Sequence, residues 1–119
     1  MKTGDAAVVI AAALFMTACG SGTSVGANAD PMPLAAKIGC SGAHRTSPEM
    51  FATNAVECRW HGDFTQIETF AKPSAEDQYW QIGSKFADGT AVKGDGYVVE
   101  CDNGHDAQQI AAKLGGSVQ

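Results

Sequence analysis

Eleven apolar residues stand in a row near the amino terminus, Ala6 to Met16, reading AAVVIAAALFM. A membrane-crossing helix needs about 20 such residues, whereas the core of a signal peptide needs about 7–15. The run therefore fits an export signal. Lys2 supplies the positive charge ahead of it, partly offset by Asp5. A buried core helix is the competing reading, but an apolar run behind a lone N-terminal Lys fits the signal-peptide pattern better. An export signal leaves the mature chain, so these residues inflate the 45% apolar content without adding to any core. Any folded domain must be built from the residues beyond Met16.

The run leads directly into Met16-Thr17-Ala18-Cys19-Gly20. This segment resembles a bacterial lipobox, with an apolar residue at Met16 in place of the usual Leu, small residues at Thr17 and Ala18, then Cys19. The resemblance implies residues 1–18 as a lipoprotein signal peptide, cut before Cys19. It also implies a diacylglyceryl thioether on Cys19, with acylation such as palmitate on the new amine. Each buried acyl CH₂ contributes about 0.8 kcal/mol, so two or three chains anchor stably where one does not. Without this processing the protein would be cut near Ala18 and secreted as a soluble protein. Removing residues 1–18 takes away one basic and one acidic side chain, Lys2 and Asp5, so the net charge of -5 persists. An acidic mature chain excludes nucleic acid as a partner, because phosphate binding needs clustered Lys and Arg. The expected contact with the membrane is through the acyl chains on Cys19.

Residues 19–33 hold Cys19 and the stretch GSGTSVGANADPMP. Small and polar residues dominate it, and a flexible tether reaching roughly 20 Å is expected. Residues 34–119 form the expected folded domain. Leu34 to Ile38 predicts a short helix behind Pro33, ending at Gly39. Cys40 to Asn54 is turn-rich. Ala55 to His61 alternates, with Val56, Cys58 and Trp60 on one face, and predicts a strand. His61-Gly62-Asp63 predicts a tight turn into a second strand, Thr65 to Phe70.

Ser74 with Asp77 is close to a capping box, and Tyr79, Ile82, Gly83 and Phe86 recur at helical spacing. That predicts a helix stopping near Asp88-Gly89, with Trp80 off its stripe. Lys93 to Gly96 predicts a turn, and Tyr97 to Cys101 a third strand. Asp102 or Asn103 can cap a last helix bearing Ala107, Ile110, Ala111 and Leu114, closed by Gly115-Gly116. The expected fold class is α+β, a small three-stranded antiparallel sheet packed on one face by two or three helices. The second strand is expected at an edge, with the first in the middle.

A domain of 86 residues buries only about 60–65% of its unfolded surface, so a staple helps. After export the compartment is oxidising, and Cys40, Cys58 and Cys101 allow one pair. Cys40–Cys58 would tie a loop to a strand. Cys58–Cys101 would join neighbouring strands if their Cα atoms lie within about 7 Å. The first pairing is preferred, because Cys40 sits in a Gly/Ser loop whereas Cys101 can be a small buried strand residue.

Ile38-Gly39-Cys40, Val56-Glu57-Cys58, Thr69-Phe70, a Trp-containing helix and Gly94-Asp95-Gly96-Tyr97 together resemble small, uncharacterised actinobacterial lipoproteins. The resemblance implies a membrane-anchored extracytoplasmic domain and supports pairing Cys40 with Cys58. It transfers no catalytic residues.

The chemistry in the residues is sparse. Cys58 and His61 lie three apart on a strand and so point to opposite faces. No Cys or His pair has zinc-like spacing, and Asp102 to Asp106 lacks the pattern of a calcium loop. Gly94-Asp95-Gly96 precedes a strand rather than a helix, unlike a nucleotide loop. No cofactor and no metal is expected. Glu57, Glu68 and Glu100 can share one sheet face, where solvated exterior charge is the default. Trp60, Tyr79, Trp80 and Tyr97 are the best candidates for a binding surface. Most must be core in so small a domain, and Trp80 and Tyr97 stand out as the candidate binding surface.

The expectation is a non-enzymatic lipoprotein on the extracytoplasmic face of the cell membrane, binding a cell-envelope protein or ligand. The alternative is an envelope enzyme or thiol-active protein using Cys58 or Cys101 with a histidine.

Overall fold

A computed structural model describes residues 22–85 and 88–119. The expected signal peptide, Cys19 and Phe86 lie outside the described residues. The elements in chain order are α1 (Met32–Ile38), β1 (Ser41–Thr46), β2 (Asn54–Trp60), β3 (Asp63–Thr69), α2 (Pro73–Gly83), β4 (Ala91–Lys93), β5 (Tyr97–Cys101), α3 (Gly104–Leu114) and β6 (Ser117–Val118). The class is α+β, and the sheet has six antiparallel strands in the order β1-β2-β3-β5-β4-β6. The expected count of three strands is corrected to six. The three expected strands are adjacent, but β3 rather than β2 lies between the other two.

Local chemistry explains most boundaries. Gly39 takes a left-handed φ of 83° and its N–H caps α1 by bonding the Ala35 and Ala36 carbonyls. Such a C-cap favours glycine because it lacks Cβ. Asn103 caps α3, its side chain accepting the Asp106 N–H at 2.8 Å. His61 and Gly62 both have positive φ, 52° and 86°. That is the two-residue hairpin geometry that follows the natural twist of β2 and β3. Helix α2 opens with Pro73 in its first turn, and no side chain caps it. The capping role expected of Ser74 is therefore not filled: Pro73 presets the helical φ and needs no N–H partner.

The sheet is covered on both faces, not one. Val56, Cys58, Trp60, Ile67, Tyr97, Val99 and Val92 pack with α1 and α3. The alternate residues Phe70, Val98 and Ala91 pack under Ala75, Tyr79 and Trp80 of α2. The buried face of α2 is Ala75, Glu76, Tyr79 and Trp80, whereas Ile82 is 43% exposed. Trp80 thus belongs to the buried stripe, and Ile82 does not. The helix meets the sheet through positions i, i+1, i+4 and i+5, and Glu76 joins them because the Gly96 N–H donates to its Oε1 at 3.0 Å.

Cys40 and Cys58 form a disulfide with their Cα atoms 5.7 Å apart, and Cys101 is a free cysteine. The bridge fastens the polar edge strand β1 to β2. On the core side, the Trp60 indole N–H donates to the Ile38 carbonyl at 3.0 Å, joining β2 to α1. Residues 22–31 run along the domain: Thr23, Val25 and Asn28 donate their N–H groups to Leu114, Asp95 and Phe70.

Candidate functional site

Strand alternation places Glu57, Gln66 and Glu100 directly opposite one another, with Glu68 and Val98 in the next row of the same face. The shared face expected for the three glutamates is therefore real. Solvation is not shared: Glu68 is 0% exposed. Helix α2 and the loop carrying Glu49 close over it. The Glu49 N–H donates to Glu68 Oε2 at 2.9 Å, while Oε1 forms no hydrogen bond of good geometry. Burial, opposed by that N–H and reinforced by the charges of Glu100 and Glu49, raises the Glu68 carboxyl from 4.5 to about 7. A buried carboxyl beside another prefers its neutral form.

Next to this buried group a pocket of about 260 Å³ opens, lined by Met50, Tyr79, Trp80, Gly83, Thr90, Ala91, Glu100 and Cys101. Its parts come from α2, β4, β5 and the β1–β2 loop. Tyr79 Oη donates to Glu100 Oε2 at 2.6 Å, which fixes that half-buried carboxylate on the pocket wall. Burial first, and then Glu100, raises the Tyr79 phenol above its ordinary range, so it remains a donor. The ring stands edge-on to both Phe70 and Trp80, with centroids 5.7 Å and 5.1 Å away. Lys93 lies 5.9 Å from the Trp80 ring centroid. Nearby apolar side chains face solvent: Met50 is 52% exposed, and Phe51 also shows its ring. Met50 has a left-handed φ of 50°, uncommon for a residue with Cβ.

The lining offers an apolar wall, an aromatic edge and one hydrogen-bonded carboxylate. Its thiol is poorly suited to nucleophilic work. Burial, with Asp106 and Glu100 adding to it, pushes Cys101 up to about 12, and the thiolate is the reactive form. Cys58 is bonded to Cys40, and His61 stacks on Trp60 at 3.9 Å between centroids. The closeness of Cys58 and His61 in sequence therefore makes no thiol–imidazole couple. Among the described residues no group of three His, Cys, Asp or Glu side chains is placed to hold a metal ion.

Of the two aromatics that stand out in the sequence, Trp80 is 7% exposed and reaches the pocket wall. Tyr97 is 0% exposed, packed under Gly94, and presents no surface to a partner. Tyr79, one of the four aromatic candidates, also lines the site, and Met50 joins it without having been expected there. Tyr79 has a visible signal in its helical spacing to Glu76 and Gly83, whereas Met50 has none. Compared with protein families, curated proteins and solved structures, the chain matches none.

Proposed function

We propose that this protein is a lipid-anchored binding module on the extracytoplasmic face of the membrane, non-enzymatic, taking its ligand in the pocket beneath Met50. The observation that carries the binding reading is the pocket wall itself, where Glu100 is held by Tyr79 beside Trp80 and Met50. That lining suits an apolar group ending in a hydrogen-bond donor, such as an amine-tipped side chain of an envelope protein. The lipobox at Met16 to Cys19 supports the anchor. The Cys40–Cys58 bridge is compatible with an oxidising compartment. No helix among the described residues is long and apolar enough to cross a membrane.

Two assays test the proposal. Cells fed labelled palmitate should label the wild-type protein and not Cys19→Ala, and fractionation should find only the variant released. Label retained by Cys19→Ala refutes lipidation at that residue, and wild type in the soluble fraction favours simple secretion. A photo-crosslinking residue at Met50 should capture an envelope component that Glu100→Ala no longer captures. Capture unchanged by Glu100→Ala refutes the pocket assignment. A thiol-active protein is the competing reading, and rapid iodoacetamide labelling of native Cys101 would favour it.

A further inference from the structure

The short stretch between Cys19 and the domain limits how the molecule can sit. We infer that the domain is seated on the lipid surface with one fixed pole down. That pole is built from residues 22–25, the carboxyl end of α3 and the Gly94–Gly96 turn. The inference rests on the lipid-anchor reading proposed above.

The first described residues are stitched to the fold. The Thr23 N–H donates to the Leu114 carbonyl at 2.7 Å, and the Val25 N–H to the Asp95 carbonyl at 3.0 Å. Ser24 Oγ donates to Asp95 Oδ2 at 2.7 Å, and Lys37 Nζ to Thr23 Oγ1 at 2.6 Å. Ser24 and Asp95 form a parallel bridge, and Val25 packs against the core. Gly22 lies so close to Gly115 that a Cβ on either would strike the other's backbone. This is a docked strap, not a free chain.

Cys19 precedes Gly22 by three residues. At about 3.6 Å per residue, that leaves about 11 Å between the lipidated residue and the pole at full extension. A free leash of the whole segment would have allowed far more.

Charge agrees with the geometry. Exposed Lys37, Lys72, Lys93 and Lys113 gather around this strap and the end of α3, against Asp95, which Ser24 holds, and the buried Glu76, which accepts the Gly96 N–H. Asp63, Asp102 and Asp106 lie at the other end of the sheet, where the Asn103 amide bridges toward both Asp63 and Asp106. An otherwise acidic domain thus turns its basic end toward its own anchor, the end suited to lipid phosphates. Glu100 and Ala91 sit at the far end of their strands, with Thr90 just before Ala91, so the pocket lies at the end away from the lipid.

The test uses the full lipidated chain in phosphatidylglycerol and phosphatidylethanolamine vesicles carrying a headgroup quencher. Fluorophores are placed at Ser117→Cys or at His105→Cys, each in a Cys101→Ala background. The label at Ser117 should be quenched several-fold more than the label at His105. Equal quenching, or the reverse, overturns the inference. A Gly/Ser insertion of about a dozen residues after Ser21 should abolish the difference. A difference that survives the insertion overturns the assignment to the short tether. Intact mass of each preparation separates the two claims: an unlipidated chain defeats the anchor reading, whereas a lipidated chain quenched equally at both sites defeats only the seating.

Discussion

Glu68 carries the sharpest consequence at the residue scale. Its folded carboxyl titrates near 7, raised from the 4.5 of an unburied glutamate, chiefly by burial. A raised pKa means that the stabilising contribution is complete below about 4.5 and is lost as pH rises through about 7. Thermal melts should therefore lose on the order of 1–3 kcal/mol of stability across that window. Glu68→Gln should reduce the slope and melt higher than wild type above pH 7. Parallel pH profiles for the two proteins would contradict this account. Cys101 gives a second prediction. Pushed up to about 12, its thiol should react with iodoacetamide at neutral pH at least about a hundredfold slower than a model thiol, and reach the model rate on unfolding. A fast native reaction would contradict it. Gly94 gives a third, since a Cβ there would overlap the Tyr97 ring. Gly94→Ala should cost about 1–3 kcal/mol in urea unfolding, and an unchanged midpoint would show that the ring can move aside. The candidate site is only half legible at this scale. That Glu68 and Glu100 share a face follows from strand alternation. That Glu68 is dry depends on where α2 and Glu49 land, which no local pattern records.

At the scale of elements, legibility follows burial. Strand β2 announces itself because Val56, Cys58 and Trp60 alternate with polar residues, and the ends of α1 and α3 follow from Gly39, Asn103 and Gly115. Strand β1 reads SGAHRT and is largely exposed on the sheet edge, so it has no apolar alternation to find. Strands β4 and β6 have three and two residues, too short for any period. The face of α2 is obscured in the sequence because a buried glutamate looks like an exterior residue. Edge strand β1 depends on the pairing of Cys40 with Cys58 across a separation of 18 residues. In the chain-entropy picture, closing such a loop stabilises by about 3 kcal/mol. Reductant should lower the urea midpoint accordingly and speed amide exchange first in β1. Exchange that rises uniformly across the sheet would show that the bridge supports the whole fold rather than its edge.

The whole molecule joins a docked strap to one small domain whose sheet is covered on both faces, and on the reading proposed above an export signal and a lipid anchor precede them. On that reading the anchor and the strap set where the pocket lies, while the bridge ties β1 to β2 and the two cores hold the sheet. The chain is acidic overall, at -5, yet lysines gather near the strap, and on that reading they give the anchored end the sign that anionic lipid favours. The strap is not legible in the sequence. Its Gly, Ser and Asn composition matches a free linker, and its hydrogen bonds run to Leu114, Asp95 and Phe70, far along the chain. The central claim is that this domain reaches its site of action as an exported protein held by lipid on Cys19 and closed by one disulfide. Intact mass of the mature native protein, recovered from membranes without reductant, tests it most directly. The account predicts residues 19–119, less two hydrogens for the Cys40–Cys58 bridge, plus a diacylglyceryl group with or without an additional acyl chain. A mass that retains residues 1–18, or that begins near Cys19 without lipid, would contradict it.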